Sequence, residues 1–271
     1  MGNTGGNMNS LQSRLDRLVA ARDKYECKDN ASIASKRVIP LLGPSAVGKS
    51  TIITAVKQRA PIWEIASIDE AGTTGTRAPR QGDPANYRMG IPHDEAVELI
   101  EKGKPVNWSL MPTGDIYMTL PEDFPAEYNF MACLPDSVPM LKRAGFAAVH
   151  AAYIVTPVDA WEDQLASRLY ATDTLNLPKS QRTYRPDSLG RVEEAISSLE
   201  YGLGAVALKI SNIPGDSGLT ETADMILKVV TKKASIYSKD DNQMAEFEKN
   251  RREMYSRAID LSWEIRQAAQ K

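Results

Sequence analysis

The residue types with the clearest chemistry lie in one glycine-rich loop, whose sequence is Gly43-Pro44-Ser45-Ala46-Val47-Gly48-Lys49-Ser50-Thr51. This run fits the phosphate-binding pattern G-x-x-x-x-G-K-[ST] at every position. There the glycines let backbone N–H groups turn toward phosphates, the lysine approaches the β and γ phosphates, and the next hydroxyl binds magnesium. We therefore predict that the loop binds ATP, that Lys49 is catalytic and that Ser50 holds Mg²⁺. The residues expected to contact ATP are Gly43, Ser45, Ala46, Val47, Gly48, Lys49, Ser50 and Thr51.

The segments on either side of this loop have the patterns of a strand and a helix. Residues 38–42 form an apolar run before it, and residues 51–57 predict a helix whose N-terminal dipole faces the anion. Further apolar runs predict buried strands at 63–68, 128–134, 151–155 and 205–210. Their alternation with helical stretches predicts an α/β fold with a parallel sheet flanked by helices on both faces.

Composition limits the classes of partner. The 271 residues include 33 Lys and Arg against 35 Asp and Glu, a net charge of −2, which gives no overall field to attract nucleic acid or an anionic membrane. Cys27 and Cys133 are far apart and lack metal-binding spacing, which is typical of a reducing compartment. The glycine-rich, polar start of the chain has no hydrophobic signal core. We expect a cytoplasmic protein with no nucleic-acid or membrane partner.

Both ends of the chain have the pattern of amphipathic helices outside the central domain. We predict three parts: a flexible start plus helix at 1–36, a kinase-like domain at 37–233, and a helical extension at 234–271. Such helices either pack on the body of their own chain or form the contact of a homodimer. The apolar positions are Leu11, Leu15, Leu18 and Val19 in the first helix and Met244, Phe247, Met254, Tyr255, Ala258 and Ile265 in the second.

A second motif suggests a binding site for another phosphate. Its sequence is Thr76-Arg77-Ala78-Pro79-Arg80-Gln81-Gly82-Asp83, followed by Tyr87. Two arginines three residues apart, with a proline stiffening the turn, can direct both guanidinium groups at one phosphate. This run resembles the T-R-x-P-R-x-G-E…Y signature of guanylate kinases. The resemblance is patchy between motifs but extends from about residue 37 to residue 230.

Two further segments carry the resemblance. Residues 114–119 resemble the family's G-N-Y-Y-G-[ST], and residues 105–108 lie where it has F-x-E-W. The resemblance implies a P-loop NTPase-like fold with an acceptor-binding insertion and a lid, and transfer of the γ-phosphoryl group of ATP to a nucleoside monophosphate. It places Tyr117 on the acceptor phosphate and Thr119 near the base. The implied acceptor-binding residues are Arg77, Arg80, Tyr87, Asn107, Tyr117 and Thr119.

The resemblance also implies a lid at 173–188, a polar segment that contains two arginines. A mobile arginine that meets the transferring group on closure stabilises transition-state charge and excludes water. Arg168, Arg182 and Arg191 are the arginines that we predict to be catalytic, and an ordinary surface role is the alternative for each. Residues 210–212 resemble the family's V-N turn, which implies that Asn212 helps to hold the adenine of ATP.

One departure from the family concerns the acceptor. Guanylate kinases have an acid before the tryptophan, which accepts hydrogen bonds from guanine, and this chain has Asn107. An amide offers one acceptor group and one donor group and cannot copy a carboxylate. Asn107 suits a base that presents a donor beside an acceptor, as adenine does, or the pocket holds a molecule without a base. The family's carboxylates after the third strand are also displaced, which leaves Asp136, Asp69 and Glu70 as alternatives near the metal.

Three functions follow from these motifs. The first is a nucleoside monophosphate kinase with ATP, Mg²⁺ and a phosphorylated small molecule as its acceptor. The second keeps this chemistry but takes a sugar phosphate such as ribose 1,5-bisphosphate. The third is a non-catalytic guanylate kinase-like interaction module, against which the intact phosphate-binding loop argues.

Overall fold

The computed structural model describes residues 5–63, 65, 67–201, 208–212, 215–231 and 241–270, with side chains from residue 11 onward. The predicted strand residues 205–207 and the predicted boundary at 233/234 lie outside the described residues. The chain divides into two compact units. The first unit comprises residues 1–38, 69–131 and 136–149, and the second comprises 39–68, 132–135 and 150–271. The three-part division at 1–36, 37–233 and 234–271 stays a prediction.

Helices and strands alternate along most of the described chain. The helices are α1 (Gly5–Ala20), α2 (Lys49–Arg59), α3 (His93–Glu101), α4 (Val138–Arg143), α5 (Val158–Leu169), α6 (Ser188–Glu200), α7 (Asp216–Val230) and α8 (Asp241–Ala268). The strands are β1 (Arg37–Leu42), β2 (Ile68–Glu70), β3 (Thr73–Gly75), β4 (Tyr87–Met89), β5 (Asn107–Leu110), β6 (Ile116–Thr119), β7 (Tyr128–Ala132), β8 (Ala148–Val149), β9 (Ala152–Val155) and β10 (Leu208–Ser211). None of the helices in this part of the chain is long and apolar enough to cross a bilayer.

The larger sheet confirms the predicted α/β class. Its strand order is β10-β9-β1-β7-β2, and β8 also pairs with the start of β1. The pairs of β1 with β8, of β1 with β9 and of β9 with β10 are all parallel. The side chains of β9 are buried throughout, and those of β1 are buried from Val38 on, as expected for strands covered on both faces. The predicted strands at 38–42, 128–134 and 151–155 are therefore confirmed within a residue or two.

The prediction of a strand at 63–68 is wrong for most of that segment. A 3-10 turn over Ala60–Trp63 continues α2, and β2 begins only at Ile68. The indole N–H of Trp63 donates to Asp224 at 3.0 Å, and the backbone N–H of Ile65 donates to the carbonyl of Ala60 at 3.1 Å. The apolar residues thus close the end of a helix. Residues 64 and 66 lie outside the described part of the chain.

The first unit has its core on one side of a four-stranded sheet with the order β4-β3-β6-β5. Helices α1 and α3 pack there, and an ion pair of 2.7 Å joins Arg14 of α1 to Glu101 of α3. The N-terminal helix therefore packs on its own chain. The buried core residues are Leu15, Ile91, Ala96, Val97, Ile100, Trp108, Ile116, Met118, Leu120 and Met140.

The second unit includes the C-terminal helix as part of its core. Helix α8 packs on α5, α6, β9 and β10. Phe247, Met254, Ala258 and Ile265 of the predicted apolar side are buried, and the Phe247 ring meets that of Tyr153 edge to face at 6.0 Å. These residues thus pack within their own chain. A homodimer stays a prediction.

Candidate active site

The phosphate-binding loop connects β1 to α2, as predicted. Gly43, Ala46 and Gly48 all have positive φ, at 123°, 70° and 86°, so the backbone turns sharply three times within six residues. Glycine adopts such angles at little steric cost, which explains two of the three positions. This turn brings Lys49 to the first position of α2, where the helix dipole favours an anion.

Gly43 is required by a close approach as well as by its φ. A Cβ atom at this position would lie 2.2 Å from the carbonyl oxygen of Ile154 in β9. Because that oxygen belongs to the backbone of a central strand, it cannot move aside. The first glycine of the motif thus lets the loop lie directly on the neighbouring strand.

Two buried side chains fix the outer curve of the loop. The indole N–H of Trp161 in α5 donates to the carbonyl of Ser45 at 2.8 Å. The amide of Asn212 donates to the carbonyl of Val47 at 3.3 Å, and its oxygen accepts from the Thr222 hydroxyl at 3.3 Å. Asn212, predicted to contact adenine, is therefore placed behind the loop with its amide bonded to protein groups, and its contact with ATP stays a prediction.

Lys49 is held over the loop by two carbonyls. Its ammonium donates to Gly43 at 2.6 Å and to Pro44 at 2.9 Å. Burial lowers the pKa of this ammonium, the carboxylate of Glu194 opposes that shift, and the nearby cation of Arg168 lowers the pKa further. Lys49 and Arg168, both predicted to be catalytic, thus lie close enough to interact. Bringing in a polyanion would relieve the repulsion between these two cations.

The other predicted catalytic arginines are engaged locally. Arg182 donates to the carbonyl of Leu177 at 2.9 Å and lies over the ring of Tyr170 at 5.3 Å. Arg191 of α6 binds Asp187 at 2.6 Å. In this structure the two side chains therefore stabilise the segment that was predicted to be a lid, and their roles in transfer stay predictions.

The loop fits a triphosphate with magnesium. Ser50 is exposed in the first turn of α2, and the glycine positions leave a cradle of backbone amides. Magnesium keeps several waters and takes few protein ligands when substrate phosphates supply the others. One hydroxyl is therefore a sufficient protein contribution, although no group of three or more His, Cys, Asp or Glu among the described residues could hold a metal by itself.

The predicted acceptor residues come together on one face of the four-stranded sheet. In β6, Ile116 and Met118 point into the core, so the alternating residues Tyr117 and Thr119 lie on the other face. Antiparallel register puts Asn107 opposite Thr119 and Gly75 opposite Tyr117. Parallel register with β3 brings Tyr87 to the same face, beside Thr73.

Arg77 and Arg80 follow β3, and both affect the pKa of the Tyr117 hydroxyl. Arg77 is only 8% exposed, and its two terminal nitrogens bind the carboxylate of Asp83 at 2.9 and 2.5 Å. The hydrogen bond from Arg77, with a second from the backbone of Arg80, lowers the pKa of Asp83 to about 2. Burial raises the pKa of the Tyr117 hydroxyl, and the two arginines oppose that shift. Two cations and a hydroxyl therefore converge here, as phosphate binding requires.

Tyr87 joins this cluster through an acid. Its hydroxyl donates to Glu70 at 3.4 Å, and burial, with the charge of Glu70, raises the pKa of Tyr87 to about 12. Glu70 was one of the carboxylates considered for the metal, and here it orients Tyr87. The hydroxyl stays protonated at neutral pH, its one proton is directed at Glu70, and its contact with an acceptor phosphate stays a prediction.

Comparison with known proteins finds partial sequence similarity to guanylate kinases. No family model matches the chain. The curated guanylate kinase of Nocardia farcinica is 36% identical over 77 residues, which cover 27% of this chain and 36% of that protein. The guanylate kinase of Rhodococcus jostii is 30% identical over 91 residues, covering 32% and 40%. Part of this chain is therefore similar in sequence to guanylate kinases.

The extent of this similarity is limited. The chain spans only about a third of the length of the curated guanylate kinases of Nocardia farcinica and Mycolicibacterium paratuberculosis that it matches. The crystal structure of guanylate kinase from Anaplasma phagocytophilum aligns with 74% of this chain and 86% of its own, at 15% identity and a TM-score of 0.44. The roles of individual residues therefore stay predictions.

The chain departs from the guanylate kinase motif at Asn107, as the sequence indicated. Asn107 is 5% exposed and Thr119 opposite it is 2% exposed. Among the described residues, no group donates a hydrogen bond to the Asn107 side-chain oxygen. The amide thus has an unused acceptor on the polar face.

Sequence reasoning missed two residues that contact predicted site residues or their neighbours. Arg22, from the N-terminal segment, binds Asp136 at 2.6 Å and donates to the Ser109 hydroxyl at 3.1 Å. Because contacts so distant in sequence leave no local pattern, no signal in a single sequence reveals them. Glu194 does have a signal in the sequence. It follows Arg191 by three residues, so the two residues lie on the same side of α6.

Proposed function

We propose that the chain is an ATP-dependent kinase that transfers the γ-phosphoryl group to the phosphate of a nucleoside monophosphate. The observation that carries this proposal is the convergence of Arg77, Arg80 and Tyr117 on one face of a sheet, in a chain with an intact phosphate-binding loop. A triphosphate-binding loop alone is shared by motors, switches and transporters. A second cationic cluster supports a phosphorylated acceptor.

In this proposal, catalysis is positional and electrostatic. The backbone amides of the loop, Lys49 and Arg168 hold the triphosphate and offset its charge. Arg77, Arg80, Tyr87 and Tyr117 hold the acceptor phosphate, which is already ionised and needs no general base. Magnesium on Ser50, when bound, neutralises charge on the transferring phosphates. Its substrates would be small molecules, in the cytoplasm.

Experiment would distinguish this function from two alternative functions. A sugar phosphate such as ribose 1,5-bisphosphate is favoured by the replacement of the family's acid with Asn107. The intact motif argues against a non-catalytic module, since Gly43 and Gly48 have positive φ and Lys49 lies on the loop.

Replacing Lys49 tests the proposed function directly. We expect Lys49→Ala to abolish ADP release with ATP, Mg²⁺ and a mixture of four nucleoside monophosphates, because the charge beside the transferring group is lost. The matched control is Lys102→Ala, which removes a lysine in an exposed pair with Glu98 and should keep full activity. Full turnover by Lys49→Ala, at unchanged thermal stability, would show that the loop does not carry the reaction.

A further inference from the structure

The polar face of the four-stranded sheet continues beyond the phosphate cluster. Thr119 lies two residues beyond Tyr117 in β6, about 7 Å along the strand, with Asn107 directly opposite in β5. A sugar can bridge such a span. A nucleotide held by its phosphate at Tyr117 and Arg77 is therefore long enough to reach Asn107 and Thr119.

Asn107 points to the chemistry of that end. Asn107 is only 5% exposed, and no group among the described residues donates a hydrogen bond to its side-chain oxygen. Burying an unpaired amide oxygen is unfavourable, because the group has lost its hydrogen bonds to water. A ligand that places an N–H group against this oxygen would recover that loss.

The neighbouring carboxylate is already paired. Asp136 reaches the same strand through the Ser109 hydroxyl at 3.3 Å, but its charge is taken by Arg22 at 2.6 Å. Arg22 is itself held in place, since its guanidinium donates to the backbone carbonyl of Trp108 at 2.9 Å. The same guanidinium lies over the indole ring of Trp108, 5.1 Å from the ring centre. The charge of Asp136 is thus already balanced by Arg22.

Guanine fits these groups poorly. Its N1–H and amino groups are adjacent donors, and against an amide one of them meets the donor nitrogen. If guanine instead pairs its N1–H and O6 with Asn107, its amino group needs another acceptor, and Asp136 is engaged with Arg22. The first arrangement opposes two donors, and the second leaves the amino group to the Thr119 hydroxyl or to solvent, so neither matches the amide as directly as an amino group beside a ring nitrogen does.

We propose that the acceptor is a nucleotide whose base has an amino group beside a ring nitrogen, as in adenine and cytosine, and that Asn107 reads this edge; the inference rests on the kinase function proposed above. The Asn107 oxygen accepts an amino hydrogen, and its Nδ2 group donates to the ring nitrogen, the pairing that asparagine makes with adenine. The Thr119 hydroxyl accepts or donates as the base requires.

The test measures kcat/KM of the full-length protein for AMP, CMP, GMP, UMP and ribose 1,5-bisphosphate with ATP and Mg²⁺. We expect AMP or CMP to exceed GMP by about tenfold or more. Removing the amino group, with purine riboside 5′-monophosphate against AMP, should cost a similar factor. A preference for GMP would overturn the base assignment and leave the kinase function standing, whereas a preference for ribose 1,5-bisphosphate would overturn the assignment of any base.

Calorimetric titration separates the two proposals. If AMP or CMP binds about tenfold more tightly than GMP but is not phosphorylated, the base inference stands and the kinase function fails. If no nucleotide binds, or all bind equally, the base inference is overturned.

The variant Asn107→Asp provides a second test, because aspartate has nearly the same size and shape as asparagine. The carboxylate should shift the AMP-to-GMP ratio toward GMP by about tenfold, because it accepts two hydrogen bonds. An unchanged ratio in the folded variant would overturn the role of Asn107. If thermal unfolding shows that this variant does not fold, the comparison of amino and desamino nucleotides with the unmodified protein decides.

Discussion

At the scale of single residues, Asp83 is the group that orients the acceptor clamp. Its carboxylate binds both terminal nitrogens of Arg77 and the backbone N–H of Arg80. We expect Asp83→Asn to raise the acceptor KM about tenfold, with the ATP KM unchanged, because a charge-assisted bidentate contact is weakened. Steady-state kinetics check this, and equal changes in both KM values would contradict it.

The same residue predicts a pH dependence of stability. Arg77 holds the pKa of Asp83 at about 2 in the folded chain, below the ordinary value of 3.8. A lowered folded pKa stabilises the fold above the unfolded pKa, and this contribution is lost as pH falls from about 4 toward 2. The stability advantage of the unmodified chain over Asp83→Asn should thus be full at pH 7 and shrink below about pH 4. Urea unfolding across this range measures it, and a constant difference would refute the pairing.

Gly43 offers a matched test of close packing at the loop. Gly43→Ala and Gly114→Ala both place a side chain at positive φ, but only the first meets a backbone atom, the carbonyl of Ile154. We expect Gly43→Ala to be less stable than Gly114→Ala by about 1–3 kcal/mol, because the added methyl overpacks the strand. Chemical denaturation provides the comparison. Equal losses would attribute the whole cost to φ.

At the scale of elements, the sequence predicts what local patterns specify. The phosphate-binding loop and the amphipathic helices α1 and α8 were predictable, because their spacing carries the physical requirement. The segment at 63–68 was not, since an apolar run of that length suits a strand or the end of a helix equally. Its outcome depends on Asp224, a partner from α7 that accepts from Trp63.

Helix α8 illustrates how an extension becomes part of a core. Phe247 is fully buried against Tyr153, whereas Trp263 on the same helix is 65% exposed. We expect Phe247→Ala to destabilise the protein by about 3–5 kcal/mol through the cavity it leaves. Trp263→Ala, the control, should change stability by less than about 0.5 kcal/mol. If both variants unfold alike in denaturant, α8 is not an integral part of the second unit.

At the scale of the whole molecule, charge is organised locally. The net charge of −2 hides a cationic pair, Lys49 and Arg168, in one unit and another, Arg77 and Arg80, in the other. Each pair lies near a carboxylate, Glu194 or Asp83 respectively. The sequence could assign Lys49, Arg77 and Arg80 to two motifs. Of the neighbouring carboxylates, Asp83 lies within its motif, whereas Glu194 is brought near Lys49 only by folding.

This division of labour predicts that the two substrates bind through separate residues. Lys49→Ala should lose affinity for a non-hydrolysable ATP analogue by about tenfold or more while binding the acceptor nucleotide normally, because the lost charge belongs to the triphosphate loop. Arg80→Ala, at an exposed position that leaves the Arg77–Asp83 pair intact, should do the reverse. Calorimetry of each variant with each ligand gives four affinities. If either variant weakened both ligands equally, the assignment of triphosphate to the second unit and acceptor phosphate to the first would be wrong.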